Sequence, residues 1–229
     1  MIAGRPALSI LNLGDFAAQY GSVLFAAMID YARLRLTETL GIAPFLIGVI
    51  GQIDSRNIAL SRALPFDAIT GYGLLPDWLG ETEQDYAALI DKRASEWEEI
   101  QSRIDKPFLP VACCGWDATS RGPKTPSGPR SRRYPESPVV TGVTPRLFGD
   151  FVDRAIAFNE RWHPENNVVF LHAWNEWTEW SVLEDSDRFG KEFLEEVASR
   201  ARNTTLIPAT AEAPKTRRSH RSVSNNASY

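Results

Sequence analysis

Two cysteines are all that the 229-residue sequence contains, and they stand next to each other as Cys113 and Cys114. A disulfide between neighbouring residues is strained, and no second pair exists to build a disulfide framework or a zinc site. The pair is interpreted as reduced strand residues of a cytoplasmic protein. Because no cluster of side chains has metal-ligand spacing either, the sequence predicts no metal and no other cofactor.

The sequence also has no net positive charge, and neither a signal-peptide pattern nor a long apolar run is visible in it. Its formal net charge of −4 argues against a nucleic-acid binder, which needs a basic face to displace counterions from phosphate. The first apolar run is interrupted by Asn12 and Asp15 and has no basic segment before it. The stretch Val23–Ile29 is too short to span a bilayer. We therefore expect no nucleic-acid partner, no integral membrane segment and a cytoplasmic location.

What the sequence does contain is a regular alternation of short apolar runs and longer segments of helical period. Such alternation predicts βα units that form a parallel sheet covered by helices. The five candidate strands are Ala7–Leu13, Phe45–Ile50, Phe66–Thr70, Phe108–Cys114 and Asn167–Ala173. The five candidate helices are Phe16–Leu40, Asp54–Ala63, Thr82–Ile104, Pro145–Trp162 and Ser186–Ala201.

Five βα units are fewer than a closed (β/α)₈ barrel requires. A doubly wound sheet is the alternative, but no glycine-rich phosphate loop follows any candidate strand. We therefore predict an α/β fold of the (β/α)₈-barrel type that is partial, with about five βα units over residues 1–202. An incomplete barrel leaves a strand edge unpaired, and unpaired edges recruit partners, so self-association through an open sheet edge is expected.

The alternation stops near the end of the chain. Residues 203–229 are rich in Ala, Ser, Thr, Asn and Arg, and almost nothing large and apolar follows Ile207. Such a segment buries too little surface to offset the entropy of ordering it. We predict a disordered C-terminal tail.

The pattern with the clearest chemical meaning is the carboxylate pair Glu176 and Glu179, which follows a buried-strand pattern. Residues just past a strand's carboxyl end line the active-site face of a barrel. Three residues apart, the two side chains share one face of a helical or 3₁₀ turn. Two carboxylates among indoles suit glycosidic chemistry, in which one is a protonated acid and the other stays ionised. The plainer alternative is a pair of first-turn acids favoured by a helix dipole.

Other polar and aromatic residues follow three of the candidate strands. Indole faces stack on sugars, and Asn175 can both donate to and accept from hydroxyl groups. Asp117 and Arg121 could orient hydroxyls or simply pair with each other. His172 is interpreted as a hydrogen-bonded core residue. The residues predicted to bind substrate are Tyr72, Trp116, Asp117, Arg121, Trp174, Asn175 and Trp177.

Three segments carry a resemblance to a known family. The run Leu171–Gly190, LHAWNEWTEWSVLEDSDRFG, resembles the signature of the glycoside hydrolase family 99-like domain, which includes the WbsX-type glycosyltransferases. The segments GWDATSRG at Gly115–Gly122 and FDAITGYG at Phe66–Gly73 resemble two further motifs of that domain. The resemblance implies a (β/α)₈ barrel whose N-terminal βα units have no counterpart in this sequence.

The resemblance also implies a mechanism. In endo-α-mannosidase members of the family, one Glu of an Asn-Glu-x-x-Glu motif deprotonates the sugar's 2-hydroxyl, which attacks the anomeric carbon, and the other protonates the leaving oxygen. Carried over, Glu176 is the base and Glu179 the acid. The expected function is therefore hydrolysis or transfer at glycosidic bonds of a glycan, such as a bacterial surface polysaccharide. The alternative is a non-catalytic, carbohydrate-binding remnant of such an enzyme.

Overall fold

The computed structural model describes residues 1–73, 75–122 and 131–203. Its strands are β1 (Ala7–Ile10), β2 (Phe45–Ile50), β3 (Ala68–Gly71), β4 (Glu83–Asp85), β5 (Phe108–Leu109), β6 (Val111–Cys113), β7 (Val139–Thr141), β8 (Phe170–His172), β9 (Asn175–Glu176) and β10 (Ser181–Val182). Its helices are α1 (Leu13–Tyr20), α2 (Ser22–Leu40), α3 (Ser55–Ala63), α4 (Tyr86–Arg103), α5 (Pro145–Trp162) and α6 (Glu192–Asn203). Apart from Asn203, the predicted tail at 203–229 lies outside the described residues.

The main strands are parallel neighbours, as predicted. Strands β1, β2, β3 and β5 pair in that order, and β6 pairs in parallel with β8. The predicted strand Phe108–Cys114 is divided at Pro110, which has no N–H to give to a ladder. The Pro110 carbonyl nevertheless accepts a hydrogen bond of 2.9 Å from the Phe170 N–H. The predicted α/β class with a parallel sheet is confirmed.

The sheet does not close on itself. Within the described ranges, β1 is paired only with β2, and β8 only with β6. A closed barrel would pair its first and last strands, since closure is what removes the edges. The fold is thus a partial barrel with two open edges.

Three predicted helices need correction. Phe16–Leu40 is two helices, because Gly21 takes a positive φ of 77° between them. Thr82–Ile104 is helical only from Tyr86, since residues 83–85 pair with β7 and the Asp85 carboxylate caps the helix by accepting from the Ala88 N–H. Ser186–Ala201 begins six residues later, at Glu192.

Three strand boundaries also differ. Ala7–Leu13 ends at Ile10, because Asn12 adopts a left-handed conformation with φ of 60° just before α1. Phe66–Thr70 is shifted to Ala68–Gly71. Asn167–Ala173 is shortened to β8, since the carbonyl of Val168 accepts from the Asn159 side chain and not from a strand.

A core of aromatic side chains lies between the sheet and the helices that cover it. Trp97 of α4 stacks on Phe151 of α5, with ring centroids 5.2 Å apart and an interplanar angle of 4°. Tyr86, buried at the start of α4, donates a hydrogen bond of 2.7 Å to the carbonyl of Cys113. The core thereby fixes the carboxyl end of β6, from which part of the candidate site projects.

Candidate active site

The predicted site residues follow the carboxyl ends of three parallel strands. Tyr72 comes directly after β3, Trp116 lies three residues past the end of β6, and Trp174 lies two residues past the end of β8. Because carboxyl ends of parallel strands lie at the same edge of a sheet, these segments converge on one rim. They also touch: the Asp117 N–H donates to the Glu179 carbonyl over 2.7 Å.

A small hairpin presents the two carboxylates. Strands β9 and β10 pair antiparallel, with Glu176 opposite Ser181. Between them, residues Trp177–Glu179 form a 3₁₀ turn that ends at Trp180, whose φ of 49° is left-handed. Residues three apart in such a turn lie on one side, so the Glu176 and Glu179 side chains point in a common direction.

A single guanidinium joins the pair. Arg121 Nη1 donates to Glu179 Oε1 over 2.6 Å, and Nη2 donates to Glu176 Oε2 over 3.0 Å. Arg121 is itself held by the Thr178 hydroxyl at 2.8 Å and the Tyr134 hydroxyl at 2.6 Å. Both carboxylates therefore bind one guanidinium, whose position is fixed by hydrogen bonds to two hydroxyl groups.

Their surroundings are otherwise unequal. The side chain of Glu179 is 6% exposed, whereas that of Glu176 is 38% exposed. Burial raises the pKa of Glu179 above its ordinary value, Arg121 opposes the rise, and Glu176 adds to it. Within the described part of the chain, Glu179 Oε2 is buried without a hydrogen-bond partner. Burial thus favours the protonated form of Glu179.

Aromatic rings line the cleft around the pair. The rings of Trp78 and Trp116 meet edge to face, with centroids 5.6 Å apart, and Tyr134 lies 6.4 Å from Trp78. Tyr72 has its pKa raised by burial and by the charges of Glu179 and Glu176, which places its hydroxyl in their field. The structure therefore brings Tyr72, Trp116 and Arg121 together with the carboxylates.

The remaining predicted residues take other positions. Asp117 does not pair with Arg121; its Oδ1 accepts from the Thr119 N–H at 2.9 Å and from the Thr119 hydroxyl at 2.6 Å. Trp174 and Asn175 are exposed on the hairpin. Trp177 is half-exposed, and its Nε1–H donates to Glu184 over 2.9 Å.

A separate cavity lies beside the hairpin. Its volume is about 360 Å³, and neither carboxylate lines it. It is walled by Trp116, Asp117, Trp177, Trp180 and Phe189. Asp117 and Trp177 thus face a second concave surface as well as flanking the carboxylate pair.

Three residues of the site were not predicted from the sequence. Trp78 lies seven residues past the end of β3, next to Asp77. An aromatic residue that follows a strand end is a signal that could have identified it. Thr178 lies between the two Glu residues, and its side chain holds Arg121. Tyr134 comes from a long Pro-rich loop, and nothing in that loop's sequence indicates that its hydroxyl reaches Arg121.

Two further findings concern other kinds of site. Among the described residues, no group of three or more His, Cys, Asp or Glu side chains is placed to hold a metal ion. In the same ranges, none of the helices has the length and apolar character needed to cross a membrane.

A parallel sheet with helical cover, and polar and aromatic side chains gathered at the carboxyl ends of its strands, is the architecture of barrel enzymes. The family model described as Glycosyltransferase WbsX matches residues 77–197. Because this stretch is more than half of the 229 residues, the chain belongs to the WbsX glycosyltransferase family, a family of carbohydrate-active enzymes.

One solved structure agrees on the fold, and a second has a lower TM-score. One described as "Glycoside hydrolase-like protein" superposes with a TM-score of 0.61 at 14% identity, covering 87% of this chain and 54% of its own. The GH99 endo-alpha-mannosidase from Bacteriodes thetaiotaomicron, solved with BIS-TRIS-Propane, gives a TM-score of 0.40 at 15% identity, over 70% of this chain and 48% of its own. The chain thus spans about half the length of these structures. No curated protein matches the sequence.

Proposed function

We propose that this chain carries the acid/base pair of an enzyme that acts on glycosidic bonds, with Glu179 as the acid and Glu176 as the base. The observation that carries the proposal is the pairing of a buried and a half-exposed carboxylate on one guanidinium, Arg121. Enzymes of this chemistry need two carboxyl groups whose environments separate their pKa values.

The unequal burial supports the assignment of roles. A general acid must hold a proton near neutral pH, and burial raises the pKa of Glu179. Glu176 is more exposed and is paired with Arg121, a position that suits a base which takes a proton from a hydroxyl nucleophile. The leaving glycosidic oxygen then receives the proton of Glu179.

The aromatic residues favour a glycan as substrate. Tyr72 lies in the field of both carboxylates, and the Trp78 ring contacts Trp116 and Tyr134, whose hydroxyl reaches Arg121. Sugars present apolar C–H faces that pack on aromatic rings. Membership of the WbsX family supports glycosidic chemistry and leaves open whether water or a sugar hydroxyl is the acceptor. The proposed reaction is therefore either hydrolysis or transfer.

One observation favours a second candidate function. Arg121 is ion-paired with both carboxylates in the structure, and an ion-paired Glu179 is a poorer proton donor than a free one. A site held in this way could bind a glycan without turning it over. The alternative is therefore a carbohydrate-binding module that retains the aromatic cleft.

The experiment that separates the two compares Glu176→Gln and Glu179→Gln with the wild-type chain on an α-mannoside-type glycan. Glutamine keeps the shape but cannot transfer a proton, so turnover should fall by about 10²–10⁴-fold in each variant. Glu195→Gln, which alters an exposed carboxylate of α6, is the matched control and should retain full turnover. Glycan binding without turnover in any of the four proteins would support the binding module, and unchanged turnover in both Glu variants would remove the acid/base assignment.

A further inference from the structure

The hydrogen bonds around His172, at the end of β8, assign one tautomer to its ring. Its Nδ1 lies 3.0 Å from the Ser181 hydroxyl and 3.5 Å from the Cys113 sulfur. The Ser181 hydroxyl donates its one proton to the His172 carbonyl at 2.9 Å, and the Cys113 thiol donates to the Gly115 carbonyl at 3.1 Å. In this arrangement neither neighbour donates to the ring, which assigns the ring hydrogen to Nδ1 and leaves Nε2 as an acceptor.

That acceptor is buried and unused. His172 is 8% exposed, and among the described residues its Nε2 has no hydrogen-bond partner. Burial lowers the pKa of His172, so the ring stays neutral and Nε2 keeps its lone pair. A buried acceptor without a partner costs free energy, and native proteins rarely keep one without a use for it.

Gly73 and Tyr72 lie beside Nε2. A Cβ added at Gly73, where φ is +62°, would lie 3.5 Å from Nε2. The Tyr72 ring meets the imidazole edge to face at 5.1 Å, on the side of the carboxylates. The absence of a side chain at position 73 therefore leaves a gap about the size of one methyl group beside Nε2, where a Cβ would make an ordinary van der Waals contact.

A second unpaired group lies close by, with the opposite polarity. Trp116 is 6% exposed, its indole Nε1–H has no partner within the described ranges, and its ring centroid is 6.4 Å from that of His172. An indole N–H can only donate, whereas this imidazole nitrogen can only accept. An ammonium group could satisfy only the acceptor and a carboxylate only the donor. A hydroxyl group satisfies both.

We propose that His172 Nε2 and Trp116 Nε1 form a hydroxyl-binding subsite that fixes a sugar beside Glu179. The subsite rests on the proposed function, because it positions the glycan on which the carboxylate pair acts. His172 is then a substrate-positioning residue as well as part of the core. The competing account is a structural water on the same two atoms, which would leave sugar affinity independent of both side chains.

The test uses His172→Asn, because an asparagine amide retains a donor near the Nδ1 position for Ser181 and removes the Nε2 acceptor. The probes are methyl α-D-mannopyranoside and its singly deoxygenated derivatives, titrated by calorimetry or ligand-observed NMR. We expect the wild-type chain to bind one of the deoxy derivatives about 10-fold more weakly than the parent. His172→Asn should bind the parent about 10-fold more weakly and no longer distinguish that derivative. Trp116→Phe should reduce the same discrimination.

The matched control is His163→Asn. His163 is also buried, but its Nε2 is already paired with Gln101 Oε1 at 2.6 Å, so this variant should keep the wild-type discrimination. Thermal unfolding of each variant reports any loss of fold separately from loss of binding. Nitrogen-15 NMR of the free chain gives the tautomer of His172 without any sugar.

Three outcomes would overturn the subsite. They are a protonated Nε2 in the free chain, unchanged discrimination in folded His172→Asn, or no binding of any probe to the wild-type chain. Unchanged discrimination together with lost turnover in Glu179→Gln would remove the subsite and leave the proposed acid/base function standing. Lost discrimination in His172→Asn together with normal turnover in the Glu variants would keep the subsite and remove the proposed acid/base function.

Discussion

Arg121 donates a hydrogen bond of 2.6 Å to Glu179, a carboxylate whose side chain is 6% exposed. The same guanidinium reaches Glu176 at 3.0 Å. One cation thus holds two carboxylates at once, a geometry for which the planar fork of arginine is suited and the single ammonium of lysine is not. Arg121 links the two loops that follow β6 and β8 as well as their charges.

Arg121→Gln should raise the pKa of Glu179 further, because Arg121 is the group that opposes the effect of burial on this carboxyl. The alkaline limit of activity, where the acid loses its proton, should move to higher pH. Turnover should also fall by about 10²-fold, because Arg121 no longer fixes the positions of the two carboxylates relative to each other. A pH–rate profile measures both effects.

Arg121→Lys is the matched variant for this prediction. It keeps the charge and loses the ability to contact both carboxylates, so the pH profile should shift less than in Arg121→Gln while turnover still falls. Equal turnover in the wild-type chain and both variants would show that the bridge plays no part in the chemistry.

The pKa of Glu179 also predicts how stability depends on pH. Since the folded-state pKa lies above the ordinary value of 4.5, the folded chain binds more protons than the unfolded chain between those two values. The contribution of Glu179 to stability is therefore present at pH below 4.5 and is lost as pH rises through the folded-state pKa. Glu179→Gln removes this loss, so its stability relative to the wild-type chain should increase from acid to neutral pH.

Denaturant unfolding at a series of pH values checks this expectation. Glu195→Gln, at an exposed position on α6, is the control and should follow the wild-type curve. A difference between Glu179→Gln and the wild-type chain that stays constant over the whole range would show that the folded-state pKa is not raised.

Local signals explain which parts of the fold were predictable from sequence. Helix α5 was predicted with its observed bounds, because Thr144 caps it, Pro145 occupies its first turn and apolar residues recur along it. Strand β2 was likewise predicted with its observed bounds, since all six residues are apolar or Gly and all are buried. Such features depend on neighbours along the chain, and a sequence displays them directly.

Long-range contacts explain the rest. The parallel pairing of β4 with β7 joins residues more than fifty positions apart. Tyr134 reaches Arg121 from a loop that carries no periodic pattern. The partners of Arg121 were not predicted for a related reason: Glu176 and Glu179 lie on another strand's loop, whereas Asp117 is its neighbour in sequence. Loop conformations bring these residues together, and the local sequence pattern does not determine those conformations.

The two thiols should be unreactive in the folded chain. Burial raises the pKa of Cys113 to about 12 and raises that of Cys114 as well, so neither forms appreciable thiolate at mildly alkaline pH. A chromogenic disulfide reagent should label both residues in denaturant and react far more slowly under native conditions. Rapid labelling of the native chain would contradict the burial of this pair.

Gly48 of β2 should tolerate no side chain. A Cβ there would lie 2.8 Å from Leu13 Cδ1 and 2.8 Å from Phe66 Cδ2, in a core that cannot yield without repacking. Gly48→Ala should cost about 1–3 kcal/mol of unfolding free energy. Gly51→Ala is the control, since a Cβ there meets nothing within 4 Å. Equal denaturation midpoints for the two variants would contradict the packing around β2.

The open edge of the sheet should make the chain associate with itself. Among the described residues, β1 pairs on one side only, and α2 exposes large apolar side chains that include Leu24 and Leu34. Unpaired edges and exposed apolar faces recruit partners, so the mass measured by light scattering should rise with concentration. Leu24→Lys combined with Leu34→Glu should shift the chain towards monomer with no loss of fold. Leu79→Lys, at a fully exposed loop position, should leave association unchanged, and a wild-type monomer at every concentration would show that this face recruits no second copy.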